Sequence, residues 1–192
     1  MTDETWPSQW LVESWQGDFG FQFRPGEDGS VHDPVAAEHF RETLGRFATG
    51  VTVVTATVEG EPVGLTCQSF TSVSLDPPLV LFCPAKTSRA WPRIEGVGTF
   101  CVNILANDQQ HVSDVMATRG IDKFAGLSWK PSPKTGSPVI DGVLGHVDCS
   151  IEAVHDGGDH QVVIGRVVGL AVTDDTDPLL FFEGRYTGLD DG

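Results

Sequence analysis

Beyond Gly50 the chain is a succession of short runs rich in β-branched residues, each closed by glycine, proline or a polar turn, and this succession constrains the fold more than any other feature. Val51-Thr52-Val53-Val54-Thr55-Ala56-Thr57-Val58 is the clearest run, and Glu59-Gly60-Glu61-Pro62 turns it back. A second strand-like run covers 63–75. Asp76-Pro77-Pro78 then breaks the chain, and Leu79-Val80-Leu81-Phe82-Cys83 resumes a buried strand. Residues 99–105 form another. After a loop-like stretch at 122–136 come two long runs, 144–154 and 161–172, joined by His155-Asp156-Gly157-Gly158-Asp159-His160. A last strand, 179–182, leads into Gly184-Arg185-Tyr186. About six or more strands with only short helices predict a mainly β protein, a closed antiparallel barrel and not a parallel α/β sheet.

Helical signals are few. Asp33 as N-cap and Pro34 at the first helical position open one helix, whose Phe40, Leu44 and Phe47 at i, i+4 and i+7 should pack on the barrel before Gly50 ends the pattern. A short helix is expected to begin near Thr87 or Ser88, kept brief or bent by Pro92. Asn107 with Gln110 three residues on reads as a capping box for a helix whose apolar side is Val112, Val115 and Met116.

Residues 1–34 differ from the body. They hold Trp6, Trp10 and Trp15, then Phe19, Phe21 and Phe23, with seven acidic residues against Arg24 alone. This aromatic-rich acidic segment reads as an extension, either a tail or an arm packed on the body or a second subunit, ahead of a single domain at 35–192.

A net charge of −15 over 192 residues argues against nucleic acid or an anionic membrane as partner, because both need a basic footprint. No run approaches the roughly 18–20 apolar residues of a bilayer span, and the N-terminus lacks the basic and apolar stretches of a signal peptide. A soluble, cytoplasmic protein is expected. Cys67, Cys83, Cys101 and Cys149 form no Cys-x-x-Cys pair, so neither a zinc knuckle nor a redox dithiol is suggested. No Gly-x-Gly-x-x-Gly follows a strand, and neither a Walker loop nor a Gly-x-Ser-x-Gly elbow occurs.

Three stretches could carry chemistry. Thr66-Cys67-Gln68-Ser69-Phe70-Thr71-Ser72 puts hydroxyls and an amide into a strand between apolar strands. They either face solvent or hydrogen-bond the polar edge of a planar heterocycle. Lys86-Thr87-Ser88-Arg89 gathers two cations, two hydroxyls and the N–H groups of a helix start, a combination that suits a phosphate and equally describes a solvated helix end. No acidic residue falls between Pro77 and Ile94, which favours the anion. In the hairpin from His155 to His160, Gly157 and Gly158 supply positive φ. A metal site of His155, Asp156, Asp159 and His160 lacks a patterned further ligand, so no metal is expected. His160 could instead donate to a substrate carboxamide or phosphate.

Taken in order, Phe47-Ala48-Thr49-Gly50-Val51-Thr52-Val53-Val54-Thr55, the stretch from Gln68 to Val80, Lys86-Thr87-Ser88-Arg89, Phe100-Cys101-Val102-Asn103-Ile104-Leu105, Asp122-Lys123-Phe124-Ala125-Gly126 and Gly157-Gly158-Asp159-His160 resemble the short-chain flavin reductase family. These proteins are the reductase components of two-component flavin-dependent monooxygenases, and the resemblance runs from about Val35 to Gly188. It implies an FMN-binding split β-barrel with Greek-key antiparallel strands and a few short flanking helices. It also implies a homodimer that passes a hydride from NADH or NADPH to FMN or FAD and supplies reduced flavin to a separate oxygenase. Within the family the likeness points to the reductase subunits of steroid-degrading hydroxylases, which act on phenolic secosteroids.

Carried over motif by motif, the resemblance implies that Thr66, Cys67, Gln68, Ser69, Phe70 and Ser72 line the isoalloxazine ring. Cys83 and Pro84 would lead the chain around the ribityl group, and Lys86, Thr87, Ser88 and Arg89 would hold the phosphate. Lys123 and Phe124 would close over the flavin, Asp159, His160 and Tyr186 would lie near the nicotinamide, and His160 would be catalytic. The alternative is a noncatalytic split-barrel protein that stores or carries flavin.

Overall fold

The computed structural model describes residues 34–173 and 176–189, with side chains from His39 onward. The Asp33 cap and the aromatic residues of 1–33 lie outside the described residues. The chain divides into two compact units, Met1–Arg46 and Phe47–Gly192.

In the first unit α1 (Pro34–Gly45) starts at the proline expected of it. It stops at Gly45 and not near Gly50, so Phe47 falls beyond its last turn and the apolar stripe is not continued. Phe40, Leu44 and Phe47 are 50%, 55% and 75% exposed.

The second unit is built on antiparallel strands. After β1 (Thr49–Gly50) come β2 (Thr52–Val58), β3 (Glu61–Cys67), β4 (Thr71–Leu75) and β5 (Pro78–Phe82). They are followed by β6 (Thr99–Ile104), β7 (Trp129–Pro131), β8 (Pro138–Ile140), β9 (Gly145–Gly157), β10 (His160–Val172), β11 (Leu180–Phe182) and β12 (Arg185–Thr187). Seven of them form one sheet in the order β3-β2-β6-β9-β10-β5-β4, flanked by β1-β11-β12 and by the pair β7-β8. Every pairing is antiparallel.

The barrel is split and not closed, because no ladder joins β3 to β4. The run expected as one strand at 63–75 is interrupted here: Gln68, Ser69 and Phe70 leave the ladder and carry the chain across the seam. Two smaller expectations also shift. β7 lies inside the stretch read as loop at 122–136, and of the hairpin glycines only Gly158 takes a positive φ, 77°.

β2 is buried on both faces, which explains its near-continuous β-branched content. Val54 and Ala56 join a first core with Phe82, Trp91 and Phe100, whose rings meet edge to face at 5.5 and 5.1 Å. Val51 and Val53 join a second core with Leu105, Met116, Phe124 and Leu179.

Two short helices seal these cores. α2 (Trp91–Val97) begins three or four residues later than expected, with Pro92 in its first turn where the missing N–H costs nothing, and Gly98 closes it at φ 77°. α3 (Gln110–Ala117) follows a single 3₁₀ turn, Asn107–Gln109. The reciprocal bond at its start runs from the Ala106 N–H to Gln109 Oε1 at 3.1 Å, one residue earlier than the Asn107–Gln110 box. Asn107 is otherwise engaged, its N–H donating to the Asp177 carbonyl at 2.8 Å. Val112 and Met116 are buried and Val115 is half-buried, as the periodicity predicts. Gly64 lets α3 approach β3, since a Cβ there would sit 2.8 Å from Met116 Sδ. No helix among the described residues is long and apolar enough to cross a membrane.

Candidate functional site

The crossing from β3 to β4 is held by one hydroxyl. Ser69 Oγ accepts from the Cys83 N–H at 2.8 Å and lies 3.0 Å from Cys67 Sγ. Cys67 turns its thiol into the first core, where burial raises its pKa, and Phe70 packs against the same core. Thr66 donates its hydroxyl to the Ser113 carbonyl of α3 at 2.7 Å. Gln68, Ser69, Thr71 and Ser72 are left exposed along the seam.

After β5 the chain passes half-buried Cys83 and buried Pro84 into the basic turn. The Ser88 N–H closes the turn on the Ala85 carbonyl at 2.9 Å, and Ser88 Oγ accepts from the Trp91 N–H at 3.2 Å. Lys86, Thr87 and Arg89 point outward. Trp91 anchors α2 beneath them by donating Nε1–H to Gln161 Oε1.

The hairpin that closes β9 on β10 adds itself to this turn. The Lys86 N–H donates to the Asp159 carbonyl at 2.9 Å, the Gln161 N–H donates to the Pro84 carbonyl at 3.0 Å, and Ala85 bridges His160. Lys86 Nζ lies 2.8 Å from Asp156 Oδ1, and the hydrogen bond from this ammonium holds the Asp156 carboxyl below its usual range. The turn that is free of acid in sequence therefore has a carboxylate beside it in space. Asp159 Oδ1 binds His160 Nδ1 at 2.7 Å, which lowers the Asp159 pKa and leaves Nε2 of the half-exposed imidazole to meet a ligand.

The remaining expected residues stand elsewhere. Lys123 donates to the Gly64 carbonyl at 3.1 Å and to the Met116 carbonyl, and its burial lowers its pKa. Phe124 is 8% exposed in the second core, edge-on to Trp129 at 6.1 Å. Tyr186 donates to Asp114 Oδ1 at 3.1 Å and lies 2.9 Å from Ser113 Oγ, with its pKa raised chiefly by burial. No described contact joins Tyr186 to Asp159 or His160. It approaches the seam from the α3 side, through Ser113 to Thr66. Among the described residues no group of three His, Cys, Asp or Glu side chains is placed to hold a metal ion.

Sequence reasoning missed Arg119. It follows α3, and its Nη2 reaches Thr87 Oγ1 at 3.5 Å from 32 residues away. Nothing in the local sequence announces that contact.

Residues 44–190 match the model of the flavin reductase like domain. The chain belongs to the flavin reductase family. This reductase is 52% identical over 164 residues to the flavin-dependent monooxygenase reductase subunit HsaB of Rhodococcus jostii, with 85% of this chain and 84% of that one aligned. Its fold superposes on nitrilotriacetate monooxygenase component B of Mycobacterium thermoresistibile with a TM-score of 0.79 at 56% identity, covering 81% and 88% of the two chains. The Streptomyces globisporus NADH:FAD oxidoreductase, solved in complex with NAD and FAD fragments, superposes with a TM-score of 0.78 at 35% identity, covering 84% of this reductase and 98% of that chain.

Proposed function

We propose that the protein is an NAD(P)H:flavin oxidoreductase that passes a hydride from a nicotinamide nucleotide to FMN or FAD and supplies the reduced flavin to a separate monooxygenase. The observation that carries this reading is the convergence of three stretches around one seam: the polar crossing at Thr66 to Ser72, the basic turn at Lys86 to Arg89, and the Asp159–His160 pair. The donor set fits a phosphorylated flavin. Gln68, Ser69 and Ser72 offer exposed amide and hydroxyl groups for the polar edge of a ring, with Thr66, Cys67 and Phe70 setting the backbone behind them. Lys86, Thr87, Ser88 and Arg89 offer cations and hydroxyls for a phosphate, at the end of the Cys83-Pro84 approach.

Bound flavin would supply the hydride-accepting ring, and that chemistry belongs to the cofactors. The protein orients and shields. His160, fixed through Nδ1 by Asp159, directs Nε2 to the nicotinamide end of the site. Lys123 and Phe124 hold the loop that borders the flavin, and Tyr186 supports the α3 wall. The relatives are named as reductases, and no observation favours a noncatalytic flavin carrier. Steady-state oxidation of NADH and NADPH by the purified protein, with FMN, FAD or riboflavin added, is the deciding measurement. Absence of flavin-dependent oxidation with either nucleotide would refute the assignment.

We read the protein as a cytoplasmic homodimer in which 1–34 extends a reductase domain at 35–192, serving an oxygenase of phenolic secosteroids. The homodimer is supported by Leu170 and Val172, 69% and 84% exposed on the part of β10 that runs past its pairing with β5. Sedimentation of the full chain and of a chain lacking 1–34 tests both: a monomer at micromolar concentration would remove the dimer.

A further inference from the structure

We infer that Arg119 is a phosphate-binding residue for the flavin, completing from the α3 side the anion site that the basic turn builds from the other. The inference rests on the flavin reductase reading and adds to it a residue that no motif marks.

Charge is its first support. The protein carries 27 acidic residues against 12 basic ones, and among the described residues Arg41, Arg89, Arg93 and Arg119 have no carboxylate partner. Lys86 is neutralised by Asp156, Arg166 by Glu152 and Arg185 by Glu183. Arg89 and Arg119 have no ion pair among the described residues, and Arg119 reaches the turn that Arg89 ends. Two uncompensated guanidinium groups near one turn repel each other, and an anion between them removes that cost.

Position is its second support. The contact with Thr87 Oγ1, at 3.5 Å, is long and uses one donor, so most of the guanidinium fork is unspent. The loop that carries Arg119 is fixed at both ends. The Thr118 N–H and hydroxyl return to the last turn of α3, the hydroxyl to Asp114 O at 2.8 Å, and Lys123 is tied to Gly64 and Met116. The Lys123 ammonium also covers a terminal carbonyl of α3, whose partial negative charge would otherwise oppose an anion nearby. Arg119 is thus an exposed cation on an anchored loop, beside a hydroxyl of the phosphate turn.

Riboflavin has the ring and ribityl chain of FMN but no phosphate, so it separates this role from a general one. Binding is read by quenching of flavin fluorescence with no nucleotide present. Arg119→Ala should weaken FMN and FAD by about tenfold, as loss of a charged hydrogen bond does, and leave riboflavin within about twofold of wild type. The salt dependence of FMN binding should also become shallower. Unchanged FMN and FAD affinities overturn the inference. Equal weakening of all three flavins overturns it too, since it reports a structural role. A raised KM for NADH with flavin affinities untouched assigns Arg119 to the nucleotide phosphates and overturns the flavin role. Because binding needs no turnover, these outcomes stand apart from failure of the reductase reading, which wild-type NADH oxidation measures.

Discussion

Lys86 Nζ lies 2.8 Å from Asp156 Oδ1, an ion pair between residues 70 positions apart that joins the basic turn to the hairpin carrying His160. Both side chains are largely exposed, at 41% and 78%, so the pair adds little stability. Its expected effect is on ligand affinity, because the carboxylate would compete with a phosphate for the same ammonium. Asp156→Asn should tighten FMN binding by roughly twofold to fivefold at low salt, fading as salt screens exposed charges. Fluorescence titration in low and high salt checks this; weaker binding would show that Asp156 positions Lys86.

The small contribution of the same pair to stability depends on pH. The folded Asp156 carboxyl is held below its usual value, first by the hydrogen bond from Lys86 and then by the Gly158 N–H. A depressed folded pKa contributes stability that is present above the unfolded value, about 3.9, and is lost as pH falls through the folded one. The difference in urea midpoint between wild type and Asp156→Asn should therefore be constant from about pH 8 to 5 and shrink below about pH 4. A difference that grows with acid contradicts this sign.

His160→Ala is expected to lower NADH turnover by about tenfold or more, roughly 1.4 kcal/mol or more on the barrier, while flavin affinity survives. Stopped-flow reduction of bound flavin separates chemistry from release. If reduction proceeds at the wild-type rate, His160 has no part in it.

Gly165 has no room for a side chain. A Cβ there would lie 2.5 Å from Phe100 Cζ and 3.2 Å from Cys149 Cβ, in the first core. Gly165→Ala should destabilise the fold by about 1–3 kcal/mol in urea denaturation, with FMN affinity per folded molecule retained. A neutral substitution would mean that Phe100 repacks without cost.

The cysteines should differ in reactivity. Cys67, Cys101 and Cys149 are buried, and burial raises all three thiols, Cys149 to about 12. Cys83 is half-buried beside the seam. Alkylation near pH 8 followed by mass spectrometry should find one label, at Cys83, until urea is added. Protection of Cys83 by FMN would tie the seam to the ligand.

Most of the barrel was legible because its strands follow local chemistry: β-branched runs, glycine turns and the Pro77-Pro78 break. The crossing at Gln68 to Phe70 was not. Its residues are acceptable in a strand, and what bends them out is the bond between Ser69 Oγ and the Cys83 N–H, 14 residues away. The capping register slipped for a similar reason, since the Asp177 carbonyl claims the Asn107 N–H. The basic turn and the hairpin were each visible as candidates, but their union depends on the contact of Lys86 to Asp159 and of Pro84 and Ala85 to β10. Arg119 was invisible because its partner lies across the fold.

The missing ladder between β3 and β4 bears on how a ligand comes and goes. Traffic through a closed barrel must open backbone hydrogen bonds, a sub-global event with a free-energy cost of its own. At this seam no such bonds exist to be opened, and Ser69 crosses it with a single hydroxyl clasp. A flavin seated there would exchange at the cost of resolvating its ring and phosphate, with no backbone ladder to open. That suits a cofactor treated as a passing substrate, loaded and discharged once per catalytic cycle.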